Sequence, residues 1–384
     1  MTDSRRPVLV SVARTPVGRY NGSLRKHAAV ELGGVAVAAV TEPLDGRQPD
    51  HVYLGNVLQG GNGQNPARQA GVRGGLARTV PATTLNDVCL ASMSATGIAA
   101  SMIRYGEIDT AVVGGFDSMS RALHGVQVRQ APSVGDGQMI DLLVRDGLWC
   151  ALEDEGMGPI SDRANEAFGI SRAAQDAYAV ESHRRAAAAT RAGRLKQEII
   201  PVADLQEDEG IRPDSSEEKL GGLRPAFIEG GTITAGNASQ MSDAAAAGLL
   251  MAAEAAVGLG LAPLVEVVGR AMTAGPDASL HLKPADAARR LLARHDLKVA
   301  DVGLWEINEA FAGVALASMA DLALNPERVN VNGGAIAIGH PLGASGFRTI
   351  MTLALEMRQR EQEFGVATMC GGGGQGEAVL LRLR

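Results

Sequence analysis

The sequence is poor in aromatic residues, in cysteine and in positive charge, and each shortage excludes a class of protein. Only 3% of its 384 residues are aromatic whereas 48 are glycine, so the core must consist mainly of small aliphatic side chains. Three cysteines are too few for a disulfide framework or a structural zinc site. A formal net charge of −7 argues against a nucleic-acid-binding surface as the main function.

The sequence also lacks long hydrophobic runs. No apolar stretch reaches the roughly 18 to 20 residues that a membrane-spanning helix needs. The N-terminal residues, Met1 to Pro7, lack the apolar region of a secretion signal and lead directly into a strand-like segment. We therefore expect a cytoplasmic protein that binds neither membranes nor nucleic acids.

Short apolar runs alternate with helical patterns in the first and last thirds of the chain. Strands are predicted at 8–13, 52–57, 110–113, 303–307, 365–369 and 378–381, and helices at 30–40, 94–105, 310–322 and 347–362. This alternation, with glycines after the strands, predicts an α/β architecture. The order of strands and helices is the same in the first and the last third of the chain, which predicts two structurally similar α/β halves. The chain is long enough for two or three packed domains.

The middle of the chain is polar and rich in loops. One clear helix is predicted there, from Ser171 as its N-cap through Arg191. We therefore interpret this region as an insertion over a core of two halves. The predicted domains are an N-terminal α/β half (1–120 with 241–265), an inserted loop domain (121–240) and a C-terminal α/β half (266–384).

Cys89 lies between a turn and a predicted helix, in the segment Asn86-Asp87-Val88-Cys89-Leu90-Ala91-Ser92-Met93. The free N–H groups and the dipole at a helix N-terminus stabilise a thiolate. A modest effect suffices, because the pKa of an ordinary cysteine thiol is only about 8.5. On this segment alone, a nucleophilic cysteine and a buried structural cysteine fit equally well.

His340 lies in a glycine-rich segment that runs from Asn332 to Gly346. Such a density of glycine indicates that the backbone approaches another group closely or takes up positive φ angles. Pro341 follows the histidine and restricts its backbone. A histidine that merely fills a core position needs none of this, so His340 is the one histidine that we predict to be functional.

Cys370 ends a predicted strand and is followed by four glycines. Strand ends of α/β sheets form ligand-binding crevices, and successive backbone N–H groups there can bind an oxyanion. A dinucleotide-binding loop is the competing interpretation, but these glycines lead into a strand rather than a helix. Asn308 and Glu309 place an amide and a carboxylate at another strand-to-helix junction, where helix capping alone is a sufficient role.

Taken together, these motifs resemble those of the thiolase family over nearly the whole chain. The resemblance rests on Cys89, on Asn308-Glu309-Ala310-Phe311, on Gly339-His340-Pro341-Leu342-Gly343-Ala344-Ser345-Gly346, and on Cys370 with its glycines. It implies a thiolase-like α/β fold: two similar βαβαβαββ halves packed as a five-layer core, plus the inserted loop domain. It also implies acyl transfer, with acetyl the expected group, between CoA thioesters by Claisen condensation or thiolysis.

The resemblance assigns a role to each residue of the motifs. Cys89 is implied as the nucleophile that carries the acyl group, with His340 helping to deprotonate it and Cys370 moving the α-proton of a second acyl-CoA. Oxyanion donors are implied to be His340, a water held by Asn308, and the backbone N–H groups of Cys89 and Gly372. Glu309 is implied to orient this network.

Substrate contacts are also implied by the resemblance. The CoA and acyl contacts expected are Arg212, Leu223, Phe227, Ala235, Ser239 and Met157. CoA is expected as substrate and product, with no tightly bound cofactor and no metal. A homodimer or homotetramer is expected, with the loop at 59–65 as a candidate interface. Three positions differ from the family pattern, namely Ser92, Gly156 and Gln240.

Three alternatives stay open at this level. The first is a 3-ketoacyl-CoA thiolase for longer or modified acyl chains. The second is a decarboxylating ketosynthase, which shares the fold and the nucleophilic cysteine. That class has two histidines, or a histidine and an asparagine, in place of the role of Cys370, so a cysteine at this position argues against it. The third is a non-catalytic thiolase-like subunit that only binds acyl-CoA.

Overall fold

The computed structural model describes residues 5–130 and 134–384. Residues 1–4, part of the N-terminal segment in which no secretion signal is expected, and residues 131–133, within the predicted inserted domain, lie outside the described residues. The strands are β1 Pro7–Arg14, β2 Gly18–Arg19, β3 His51–Gly55, β4 Ala82–Leu85, β5 Thr110–Ser118, β6 His124–Val126, β7 Met139–Asp141, β8 Trp149–Cys150, β9 Glu155–Gly156, β10 Ser242–Ala252, β11 Val265–Ala274, β12 Leu304–Ile307, β13 Phe364–Gly371 and β14 Gln375–Arg382. The α-helices are α1 Ala29–Thr41, α2 Pro66–Arg73, α3 Ala91–Tyr105, α4 Met157–Ala167, α5 Arg172–Arg191, α6 Glu217–Gly221, α7 Ala253–Gly258, α8 Lys283–Arg294, α9 Ala312–Asp321, α10 Ala335–Ile338 and α11 Leu342–Gln359.

The two halves of the chain pair their strands in the same way. In the N-terminal half the order is β4-β3-β5-β10-β1, with parallel pairs up to β5 and antiparallel pairs after it. In the C-terminal half β12 is parallel to β13, which is antiparallel to β14, which is antiparallel to β11. A short antiparallel pairing of β1 with β11 joins the two halves. The predicted pair of similar α/β halves is confirmed.

The helices lie in three layers around the two half-sheets. α3 and α11 pack against each other and against strands of both halves, so they occupy the middle. α1 and α2 cover the outer face of the N-terminal half, and α8 covers that of the C-terminal half with α9 beside it. Alternation along the strands matches this arrangement, since Leu250 and Leu381 point into the middle cluster and their neighbours Leu249 and Leu380 into the outer ones. The result is the five-layer core that the sequence predicts.

One strand is longer than predicted. Gly114 and Gly115, which we expected to end the strand that starts at Thr110, are paired within β5 opposite Ala247 and Ala246 of β10. A Cβ atom on Gly114 would lie 2.1 Å from the Ala246 carbonyl oxygen, and one on Gly115 would lie 2.0 Å from that of Gly343. These glycines therefore permit close packing rather than ending the strand.

One helix also begins earlier than predicted. α11 starts at Leu342, directly after Pro341, and not near Phe347. Proline suits a position at the start of a helix because its φ is already fixed and its missing N–H has no partner there anyway. The longer helix brings its N-terminal end next to His340.

The middle of the chain lies between β5 and β10. It contains the predicted helix as α5, with the Ser171 hydroxyl accepting from the Ala174 N–H at 3.2 Å, and also α4, α6 and two hairpins that we did not predict. The boundaries of the predicted domains stay predictions. Within the described residues, no helix is both long and apolar enough to cross a membrane.

Candidate active site

The cysteine at position 89 is held by a strained turn just before α3. Val88 has a positive φ of 51°, a conformation that costs energy for a β-branched residue. The Asn86 side chain stabilises the turn by accepting from the Val88 N–H at 3.0 Å. The turn carries Cys89 to the beginning of a fifteen-residue helix, as the sequence predicts.

The thiol of Cys89 is surrounded by apolar side chains and two backbone donors. Burial raises its pKa to about 11, although the N–H groups of Gly372 and of Cys89 itself, which point at the sulfur, lower it in part. The resting group is therefore a thiol, which needs a base before it can attack. Two such N–H groups are suited to bind an oxyanion, which is the role that the sequence resemblance implies for them.

His340 precedes α11 with its ring buried. Its Nδ1 lies 2.6 Å from the Ser345 hydroxyl, and its Nε2 has no protein partner. Burial lowers the pKa of His340 to about 3, with a smaller contribution from the positive charge of Arg348. The ring is therefore neutral at physiological pH. A neutral imidazole with a free nitrogen can act as a base.

The beginnings of α3 and α11 are joined by hydrogen bonds. The Ser92 hydroxyl accepts from the Phe347 N–H at 2.9 Å, and Leu342 packs in the same apolar cluster as Cys89. Asp117, at the end of β5, accepts from the Gly343 N–H at 2.7 Å. These contacts bring the segments that carry Cys89 and His340 together, although they are about 250 residues apart in sequence.

Asn308 and Cys370 lie at the ends of adjacent parallel strands. The Asn308 N–H donates to the carbonyl of Thr368, two residues before Cys370. Asn308 is fully buried, yet neither its amide nitrogen nor its amide oxygen has a protein partner. Because buried polar atoms are rarely left unpaired, this amide is suited to hold a water molecule or a substrate.

The thiol of Cys370 faces the same space as that of Cys89. Burial raises its pKa above that of an ordinary thiol, and the nearby Cys89 raises it further. Its surroundings are apolar and include Ile233, Leu280 and Phe311. A Cβ atom on Gly372, two residues after Cys370, would lie 3.3 Å from the Val88 side chain, so the end of β13 lies beside the turn that holds Cys89.

Glu309 has its carboxylate saturated by four donors. These are the Tyr178 and Ser182 hydroxyls, the Asn330 amide and the Ile336 N–H, at 2.7 to 3.0 Å. A carboxylate with this many partners is poorly placed to exchange protons. It instead connects α5 to the segment that leads to His340, and the orienting role implied by the resemblance stays a prediction.

The residues predicted to contact CoA fall into two groups. Met157 packs against the apolar cluster around Cys370, Phe227 makes an edge-to-face contact with Phe311 at 6.0 Å, and the Ser239 N–H donates to the Ala310 carbonyl. These three therefore border the site. The second group is Leu223, Ala235 and Arg212. Leu223 packs against Gly236, whereas Ala235 and Arg212 are exposed. The Arg212 N–H donates to His183 of α5.

Two positions that differ from the family pattern have structural roles next to the site. Ser92 makes the bond to α11 described above. The Gln240 side chain donates to the carbonyls of Gly210, Ile336 and Ala337. The backbone carbonyl of Gln240 accepts from the His340 N–H at 2.9 Å. Gly156 is the N-cap of α4.

Two further site residues were not predicted from the sequence. Ser345 contacts the His340 ring, and Asp117 binds the start of α11 together with the Leu58 N–H at 3.0 Å. Ser345 stands in the glycine-rich segment, so its position five residues after the histidine was an available signal. Nothing in the sequence marks Asp117, whose partners come from distant segments.

The site thus combines a neutral histidine with a free nitrogen, two adjacent thiols and a pair of backbone N–H groups, which are the groups needed for thiol-based acyl transfer. Residues 7–254 match the family described as "Thiolase, N-terminal domain", and residues 261–383 match "Thiolase, C-terminal domain". Together these matches cover nearly the whole chain. The chain belongs to the thiolase family of acyltransferases.

Several relatives align over almost their entire length. A "Probable acetyl-CoA acetyltransferase" of Mycolicibacterium smegmatis is 43% identical, covering 98% of this chain and 100% of that protein. An "Acetyl-CoA acetyltransferase" of Escherichia coli is 42% identical, and one of Cupriavidus necator is 41% identical; each covers 97% of this chain and 98% of its own.

Proposed function

We propose that the protein is a thiolase that transfers an acyl group, acetyl in the first place, between CoA thioesters through an acyl-enzyme on Cys89. The observation that carries this proposal is the pair of N–H groups, from Cys89 and Gly372, that point at the nucleophilic sulfur. A tetrahedral oxyanion formed when the sulfur attacks a thioester needs such donors. The names of the aligned relatives support acetyl as the group transferred.

The first half of the reaction uses His340 and Cys89. His340 removes the thiol proton, the sulfur attacks the thioester carbonyl, and CoA leaves as a thiol. Because burial raises the pKa of Cys89 to about 11, very little thiolate forms at neutral pH without a base beside it. A positioned base is typically worth about 10²- to 10⁴-fold in rate.

The second half uses Cys370 and Asn308. Cys370 first passes its thiol proton to His340 and, as a thiolate, removes an α-proton from a second acyl-CoA. The resulting enolate carbon attacks the acyl group on Cys89, and the bond from that group to the Cys89 sulfur breaks. The departing sulfur takes the proton from His340, and a 3-ketoacyl-CoA is released. The enolate oxygen needs hydrogen-bond donors, and we assign these to His340 and to a water held by the unpaired Asn308 amide. Thiolysis is the same sequence in reverse.

CoA is proposed to lie along the surface formed by Met157, Phe227 and Ser239, with Leu223 and Ala235 beside it. This surface leads to the cluster around Cys370. CoA acts as substrate and product, and we propose no tightly bound cofactor. We also propose that Arg212, whose backbone N–H donates to His183 of α5, binds the phosphates of CoA.

A homodimer or homotetramer remains our proposal for the assembly, and the cytoplasm for the location. The loop at 59–65 lies beside Leu123, since a Cβ atom on Gly61 would come within 2.4 Å of that side chain. Leu123 and the nearby Val126 and Met139 are exposed apolar residues. Sedimentation of the intact protein would test the assembly, and a monomeric mass would contradict it.

Labelling with radioactive acetyl-CoA tests the function. We expect acid-stable label on Cys89 in the intact protein, none in Cys89→Ala, and full labelling in the control Cys150→Ala, because Cys150 is buried in a separate apolar cluster. A folded protein that takes up no label would exclude the acyl-enzyme and favour a subunit that only binds acyl-CoA.

Turnover of acetoacetyl-CoA and of a long-chain 3-ketoacyl-CoA should be compared in the same preparation. Faster thiolysis of acetoacetyl-CoA is the expected result. Equal or faster turnover of the long chain would replace the acetyl assignment with that of a 3-ketoacyl-CoA thiolase. This comparison is needed because the side chains around Cys370 are apolar, as an acyl chain is.

A further inference from the structure

The Ser345 hydroxyl links the His340 ring to the backbone of α11. Its oxygen lies 2.6 Å from His340 Nδ1 and 2.9 Å from the carbonyl oxygen of Pro341. A carbonyl can only accept, so the bond to Pro341 uses the single hydrogen of the hydroxyl. The hydroxyl must then accept from His340, which means that Nδ1 carries a hydrogen.

The position of that hydrogen matters because His340 is neutral and buried. Burial lowers the pKa of the ring to about 3, so the neutral ring carries a single N–H hydrogen. That hydrogen lies either on Nδ1 or on Nε2. With the proton on Nδ1, the lone pair is on Nε2, the nitrogen that has no protein partner. In the other tautomer, Nε2 could not accept a proton.

We propose that Ser345 is a positioning residue that keeps the proton of His340 on Nδ1, so that Nε2 is free to take the proton of Cys89. This inference rests on the proposed function. In the acylation step the S–H bond breaks and its proton moves to Nε2, while the sulfur forms a bond to the thioester carbonyl carbon. The bond from that carbon to the CoA sulfur breaks, the departing sulfur takes the proton from Nε2, and the ring returns to its starting tautomer.

The same tautomer serves the second half-reaction, in which the enolate oxygen needs a hydrogen on Nε2. That hydrogen is the proton that Nε2 takes from the Cys370 thiol, while Nδ1 keeps its own hydrogen bonded to the Ser345 hydroxyl. The departing Cys89 sulfur then takes the proton from Nε2, and the ring returns to its starting tautomer.

Nitrogen NMR of protein with ¹⁵N-labelled histidine rings tests this inference directly, because protonated and unprotonated ring nitrogens resonate far apart. His340→Asn identifies the signals of His340. The test variant is Ser345→Ala, and Ser345→Thr retains the hydroxyl, since threonine in a helix can also bond to the carbonyl four residues earlier. Thr349→Val is a matched control that removes another buried hydroxyl of α11, the one bonded to the Gly346 carbonyl.

We expect the unacylated protein to carry the His340 proton on Nδ1. In Ser345→Ala the proton should shift toward Nε2 and the acetylation rate of Cys89 should fall about 10- to 100-fold. Ser345→Thr and Thr349→Val should retain both properties. A proton on Nε2 in the unaltered protein, or an alanine variant that is acetylated at the normal rate, would overturn the inference.

Two further results keep this inference separate from the proposed function. If the alanine variant fails to fold, the tautomer in the unaltered protein and the behaviour of Ser345→Thr decide the question, because loss of the Nδ1 proton in either contradicts it. If the unaltered protein never takes up acetyl label, the proposed function fails. The tautomer measured without substrate still reports on whether Ser345 controls the proton.

Discussion

Replacing Asp117 with asparagine should loosen the connection between the nucleophile and its base. The Asp117 carboxylate accepts from the Asn56 amide at 2.7 Å and the Leu58 N–H at 3.0 Å through one oxygen, and from the Gly343 N–H at 2.7 Å through the other. An amide has only one oxygen. In Asp117→Asn, its NH₂ group must therefore face either the donors near β3 or the donor at the start of α11.

The size of the effect follows from these bonds. Losing one or two hydrogen bonds to a buried charged acceptor costs about 1.5 to 3 kcal/mol each. Part of this is offset because the carboxylate is costly to bury, and burial raises its pKa to about 6. We therefore expect a net loss of about 1 to 3 kcal/mol in the free energy of unfolding.

Activity should fall more than stability alone explains. If Gly343 separates from β5, the start of α11 shifts together with His340, and a displacement of about 1 Å in a catalytic group can cost about 10²-fold in rate. The assay is single-turnover acetylation of Cys89, paired with urea denaturation of the same preparation. Asp243→Asn is the control, because that buried carboxylate accepts from Ser120 rather than from α11.

The reasoning about Asp117 would be refuted by an asparagine variant that is acetylated within about threefold of the normal rate and unfolds at the same urea concentration. A loss of acetylation in Asp243→Asn of the same size would also refute it, because the effect would then reflect any buried carboxylate on these strands.

Three further predictions concern other parts of the site. In Asn308→Ala, exchange of the α-protons of acetyl-CoA should slow by about 10²- to 10³-fold while acetylation of Cys89 is nearly unchanged, because we propose that the unpaired amide holds the water that donates to the enolate. In Gly158→Ala, the new methyl group would lie 2.2 Å from the Phe227 ring, so KM for CoA should rise with little change in the unfolding midpoint. Burial raises the pKa of Glu306 to about 8, well above its value in an unfolded chain. The stability that Glu306 contributes is therefore present in acid and is lost as the pH rises toward 8. Glu306→Gln should remove this loss, which is at most about 1.4 kcal/mol per pH unit.

Each of these predictions has a clear contrary result. Equal slowing of proton exchange and acetylation in Asn308→Ala would show that the amide supports both half-reactions. An unchanged KM for CoA in Gly158→Ala would remove Phe227 from the proposed binding surface. Parallel pH–stability curves for Glu306→Gln and the unaltered protein would mean that Glu306 stays ionised, held by Arg348 at 3.2 Å.

Much of the fold was predictable because local signals agreed with the final structure. Apolar runs predicted β1, β12 and β13, and Ser171 marked the start of α5. β10 carried no such signal. Its centre is a run of four alanines, residues 244–247, and alanine favours helix over strand. It is a strand because small side chains are required between β1 and β5, where α1 and α11 press on its two faces.

The identity of the residues at the site could be predicted from the sequence, but their protonation states could not. Cys89, His340 and Cys370 stand in distinctive surroundings, so the chemistry could be inferred from the order of their motifs. Their protonation could not, because it depends on burial. The expectation that a helix N-terminus alone would give Cys89 a usable thiolate is wrong for the resting protein, since burial outweighs the backbone donors and raises the thiol pKa to about 11.

The sequence by itself determined the α/β class and the two similar halves, because these depend on short-range patterns of apolar residues and glycines. It also identified the three residues whose side chains we propose to react. Only the tertiary structure decided that Asn308 is left unpaired and that Asp117 holds Gly343 from 226 residues away. These facts depend on burial and on hydrogen-bond partners that come together only when distant segments pack, so no local pattern in the chain contains them.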